Sequence, residues 1–143
     1  MKKYFMKEAI KQAKKANRIG EIPVGTVIVH NDKIIARGYN KRETKQNSLM
    51  HAELIAINKA CRKLKSWRLN DCEMYVTLEP CNMCMGAIIE SRISKIYYGI
   101  DNSKFHNINM EIIGNSKIDV EEYILKFECK KLLDDFFKNI RTK

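Results

Sequence analysis

The chain has no run of about 20 apolar residues, the length a helix needs to cross a bilayer, so no membrane association is expected. Its first residues, Met1-Lys2-Lys3-Tyr4-Phe5-Met6-Lys7-Glu8, mix charge with aromatics and lack the apolar stretch of a secretory leader. The cysteines are not an even set. There are five, which reads as reduced thiols in the cytoplasm rather than a disulfide frame. Acidic residues are the minority, 17 against 27 Lys and Arg, for a formal charge of +10. That balance favours a polyanionic partner, nucleic acid first, because basic groups beside phosphates gain attraction and release counterions. A small neutral base would gain little from it. The 143 residues suffice for one domain, 1-143, with a core that needs neither disulfides nor repeats.

Patterning along the chain alternates helix and strand. Tyr4 to Arg18 carries Phe5, Ala9, Ala13 and Ala16 at helical spacing with lysines opposite, and Gly20 ends it. The β-branched runs 26–30 and 33–37 flank Asn31-Asp32, which predicts a tight hairpin with His30 at a strand end. Residues 41–49 are polar and aperiodic, a loop that would deliver Asn40 and His51 to one pocket. Leu54, Ile57, Cys61 and Leu64 form a helical stripe beginning at His51. A strand over 74–78 is stopped by Pro80, a helix follows over 83–91, and 96–99 is another strand. Residues 102–117 show no clear period, and 120–140 are read as one or two helices with Leu125, Cys129, Leu132, Phe136 and Phe137 on an apolar stripe. The expected architecture is α/β, a three-layer α/β/α sandwich with a central mixed sheet. Cys61, Cys72 and Cys129 are expected to pack as small apolar residues.

Chemistry concentrates in His51-Ala52-Glu53 and Pro80-Cys81-Asn82-Met83-Cys84. By itself Cys-x-x-Cys suits a redox dithiol, half of a structural zinc site or a catalytic centre. With His51 added there are three borderline-to-soft zinc donors, which leave a tetrahedral ion one open position, the mark of catalysis rather than of a structural clasp. Glu53, two residues past His51, is spaced to stay off the metal and act as a proton carrier. Replacing an exocyclic amino group by oxygen needs that combination: ionised water near neutral pH, and protons for the ring and the departing nitrogen.

These segments are similar to the His-x-Glu and Pro-Cys-x-x-Cys signature of zinc deaminases acting on nucleobases. Val24-Gly25, Asn40, Trp67-Arg68-Leu69, Thr77-Leu78-Glu79-Pro80-Cys81-Asn82-Met83-Cys84, Ser91-Arg92-Ile93 and Leu132-Leu133-Asp134-Asp135-Phe136-Phe137 extend the likeness over nearly the whole chain. Together they resemble the bacterial tRNA-specific adenosine deaminases of the cytidine deaminase superfamily. The resemblance implies a cytidine deaminase-like fold and one Zn2+ per chain on His51, Cys81 and Cys84, with Glu53 as the catalytic acid/base. It also implies substrate contacts from Asn40, Val24, Ala52, Leu78 and Lys104, a tRNA anticodon stem-loop as partner, and a homodimer. The run Asp101-Asn102-Ser103-Lys104-Phe105-His106-Asn107 departs from the family, with Asn102 in place of its usual Asp and Phe105-His106 in place of a small residue and Gly.

Three functions compete at this level. The first is hydrolytic deamination of adenosine to inosine at the wobble position of a tRNA anticodon. The second keeps the chemistry but uses a free nucleobase or nucleoside of guanine or cytosine type. The third is a non-catalytic zinc-bearing RNA-binding protein, which the intact Glu53 argues against.

Overall fold

The computed structural model describes residues 1–141. The chain runs α1 (Lys2–Arg18), β1 (Gly25–His30), β2 (Lys33–Tyr39), α2 (Arg42–Lys45), α3 (Ala52–Leu64), β3 (Cys72–Leu78), α4 (Asn82–Glu90), β4 (Lys95–Ile100), α5 (His106–Gly114), β5 (Asp119–Glu121) and α6 (Lys126–Arg141). The five strands form one sheet in the order β2-β1-β3-β4-β5. β1 pairs antiparallel with β2 and β3, whereas β3, β4 and β5 run parallel. The sheet is therefore mixed.

Alternation along the strands divides the core into two layers. Val27, Val29, Tyr75 and Tyr97 point to the face covered by α1 and α6, where they meet Phe5, Met6, Ala9 and Cys129. Ile28, Met74, Val76, Ile96 and Tyr98 point the other way, against Ala56, Ala60, Met85 and Ile88 of α3 and α4. Each buried Val, Ile, Met or Phe among them contributes roughly 1.5–3 kcal/mol. The result is the three-layer sandwich expected from the sequence. Asn31 and Asp32 both have positive φ, 51° and 60°, as a two-residue hairpin turn of matching twist requires. Close approach explains Gly38: a Cβ there would collide with the carbonyl oxygen of Ala52, so the glycine lets the start of α3 press onto β2.

The structure corrects the sequence reading in four places. The 41–49 loop contains a single helical turn, α2. The aperiodic stretch 102–117 contains α5, whose inner face is mixed: Asn109 is fully buried and Ile112 and Ile113 pack on the core, while Ile108 is 49% exposed, so its apolar period is broken. The 120–140 segment begins as the edge strand β5, and Tyr123 and Leu125 adopt positive φ, which places Leu125 before α6 instead of on it. Phe136 is buried, but Phe137 is 42% exposed and does not belong to the core stripe.

Candidate active site

Two helix starts face each other at one end of the sheet. His51 is the residue before α3 and Cys81 the residue before α4, both with extended backbone, ψ 152° and 173°. Neither side chain caps its own helix, so both are free to turn into the space between. Their carbonyls accept the first helical hydrogen bonds, from Ile55 at 3.1 Å and Met85 at 2.9 Å. Cys84 lies one turn into α4 and is fully buried. Nδ1 of His51 is 3.6 Å from Sγ of Cys81 and 3.5 Å from Sγ of Cys84, and the three donor atoms lie within 4.8 Å of one another.

The electrostatics are those of a site built for charge. The Cys84 thiol bonds to Cys81, and with the His51 imidazole nearby this holds the Cys81 thiol down at about 4. The same bond keeps the proton on Cys84, whose thiol is pushed up by it and by burial. The bond to Cys81 raises His51. Glu53 lies in the first turn of α3 and is fully buried, which raises its carboxyl to about 7. Two sulfurs and an imidazole suit zinc.

Beside these groups lies a cavity of about 150 Å³. Val24, Asn40, Ala52 and Leu78 line it, together with His51, Glu53 and Cys81; Cys84 sits behind them. Asn40 is fixed at both ends of its amide, Nδ2 donating to the Ile22 carbonyl at 3.3 Å and Oδ1 accepting from the Arg42 N–H at 3.2 Å. Each end keeps one further bonding position. Lys104 is exposed and outside the lining, with its ammonium 5.3 Å from the ring centroid of Phe105.

Sequence reasoning missed four lining residues, Ile22, Arg42, Asn102 and Phe105. Arg42 is brought there by Glu21, a buried carboxylate that accepts from the N–H groups of Glu43 and Thr44 and so holds α2 against the mouth. That bond spans about twenty residues and leaves no local signal. Asn102 and Phe105 did carry one, their departure from the family pattern. Glu79, expected only to fix the turn before Pro80, also lines the cavity and anchors the 101–109 segment.

A model of the MafB19-like deaminases matches residues 1–141. The tRNA-specific adenosine deaminase of Bacillus subtilis (strain 168) is 45% identical over 145 residues, which is 97% of this chain and 90% of that protein. A solved structure from studies of A-to-I editing by tRNA:A34 deaminases at the wobble position of transfer RNA has a TM-score of 0.85 at 32% identity, covering 91% of this chain and 99% of that one. The guanine deaminase of Bacillus subtilis is 35% identical, with a TM-score of 0.67 over 80% of this chain and 70% of its own. Both measures are lower for that guanine deaminase. From its end-to-end match and its 45% identity to a named relative, the chain belongs to the MafB19-like deaminases and, within them, to the family of bacterial tRNA-specific adenosine deaminases.

Proposed function

We propose that this protein converts adenosine to inosine at the wobble position of tRNA anticodons, using one zinc ion per chain on His51, Cys81 and Cys84 and Glu53 as proton carrier. The observation that carries the reading is the buried Glu53 carboxyl beside three zinc-type donors, at the wall of a cavity of about 150 Å³. Such a space is far below the 300–1,000 Å³ of sites for drug-sized ligands and admits one ring system, with the rest of a polynucleotide outside. Zinc, when bound, supplies ionisation of water near neutral pH.

The chain's own groups handle the protons and the fit. Burial raises the Glu53 carboxyl, which favours its holding a proton between one transfer and the next. It accepts a proton from the attacking water, delivers one to the ring nitrogen next to the amino-bearing carbon, and carries the next to the departing amine. Water adds its oxygen to that carbon and the C–N bond breaks, so adenosine and water become inosine and ammonia. Asn40 uses its free donor and acceptor positions on the base or ribose, and Val24, Ala52 and Leu78 exclude solvent. The net charge of +10 draws the RNA in, with Lys104 contacting it at the rim. We extend the proposal to a cytoplasmic homodimer, which the family resemblance supports; among the described residues no helix is long and apolar enough to cross a membrane.

The test is incubation of an anticodon stem-loop with the zinc-loaded protein, followed by sequencing for inosine, beside free guanine, cytosine and adenosine. Inosine at the wobble position of the stem-loop is expected. The second reading, a deaminase of a free nucleobase or nucleoside, is favoured by the guanine deaminase likeness, and turnover of a free base without stem-loop activity would establish it instead.

A further inference from the structure

Asn102 and Phe105 line the cavity, and the segment between β4 and α5 that bears them is tied down by a carboxylate that is only 1% exposed. Oε1 of Glu79 accepts from the backbone N–H of Asn102 at 3.0 Å and from Nδ1 of His106 at 2.8 Å, and Oε2 accepts from the Asn109 amide at 3.0 Å. A carboxylate can only accept, so Nδ1 of His106 bears the hydrogen in that pair. Asn109 also donates to the Pro80 carbonyl at 2.7 Å, while its own buried Oδ1 has no partner among the described residues. Leaving an acceptor unpaired in the interior is costly, so this amide serves the join between α5 and the Pro80-Cys81 turn more than the core.

Phe105 is the residue held by that join. Its N–H donates to the Asn102 carbonyl at 3.0 Å, and its own carbonyl accepts from the Asn109 N–H at 2.9 Å. The half-buried ring thus stands in the wall of a cavity fit for one ring system, on a segment that carries none of the proposed zinc donors. Resting on the function proposed above, we propose that the reacting base stacks on Phe105 and that His106 is the positioning residue that holds the ring in place through Glu79. Planar faces stack whatever their edge pattern, so Phe105 supplies grip on the flipped base while Asn40 supplies hydrogen bonds.

The experiment measures the Kd of an anticodon stem-loop on full-length, zinc-loaded Glu53→Gln protein, which binds without turning over, with second substitutions at Phe105 and His106. Phe105→Ala should weaken binding about 5- to 100-fold, and Phe105→Tyr should stay within about twofold of the parent because the ring remains. His106→Ala should weaken binding by a smaller factor, and His106→Asn should recover it, since the Asn amide reproduces the Nδ1 donor. Zinc content should be the same in all. Stem-loop binding by Phe105→Ala equal to that of the parent overturns the stacking role. Weaker thermal stability in His106→Ala with unchanged Kd overturns the positioning role. A parent that does not bind the stem-loop, with wild-type protein that makes no inosine in it, overturns the underlying function and this inference with it.

Discussion

The cavity has two walls of different construction. One is made by the starts of α3 and α4, where His51, Glu53, Cys81 and Cys84 lie within four residues of a helix end and are aimed by the backbone at those two ends. The other is the 101–109 segment, where Asn102 and Phe105 are held by Glu79, a residue about twenty-five positions earlier in the chain. Local geometry sets the reacting groups; long-range hydrogen bonds set the surface the substrate meets. The chemistry should therefore fail abruptly when a residue of the first wall is changed, and the second wall should change affinity by degrees.

The sharpest break is on the first wall. Cys84→Ser should lose zinc and activity together, because two remaining donors cannot hold the ion tightly with a position left for water. Metal analysis beside turnover checks it, and full zinc with normal turnover would remove Cys84 from the site. Next is Glu53→Gln, which should keep zinc and fold while turnover falls by at least about 10²–10³, the loss expected for a positioned proton carrier. A near-wild-type rate in that variant would overturn the proton role.

Effects on the second wall should be smaller and depend on conditions. The Glu79 carboxylate raises His106 above the ordinary imidazole value. A raised folded-state value means that the stabilisation is fully present below about 6.5 and is lost as pH rises through the folded value. His106→Ala should accordingly lower Tm more at pH 6 than at pH 9, as read by thermal melts across that range; an equal loss at both would deny the charged pair. Smallest is Lys104→Ala. Its exposed ammonium should account for about one phosphate contact, so the log–log slope of stem-loop Kd against salt should flatten by about 0.7–0.9 with little change in turnover. An unchanged slope would place Lys104 off the RNA path.

How much could be read in advance follows the same division. The strands around Val27, Tyr75 and Tyr97 and the helix from Phe5 to Ala16 declared themselves by period, because each buries one regular face. The grouping of His51, Cys81 and Cys84 was legible because zinc chemistry demands particular side chains at close spacing, and the structure brings the three together. α5 was not, since it buries Asn109 beside Ile112 and Ile113 and exposes Ile108 and Met110, which blurs the apolar period that marks a helix. β5 was too short and too much at the edge to show a period, and positive φ at Leu125 broke the apolar stripe that otherwise ran on into α6.

The sequence by itself determined the sheet with its two covered faces, the His and Cys residues suited to zinc and the charge of +10, since each depends on residue type and near-neighbour spacing. Only the tertiary structure decided that Glu79 spans to His106 and Asn109, that Glu21 holds Arg42 at the mouth, that Lys104 stands outside the lining, and that burial lifts Glu53 to about 7. Those are contacts between residues far apart in the chain, and the energy of a hydrogen bond or a buried charge depends on what surrounds it after folding.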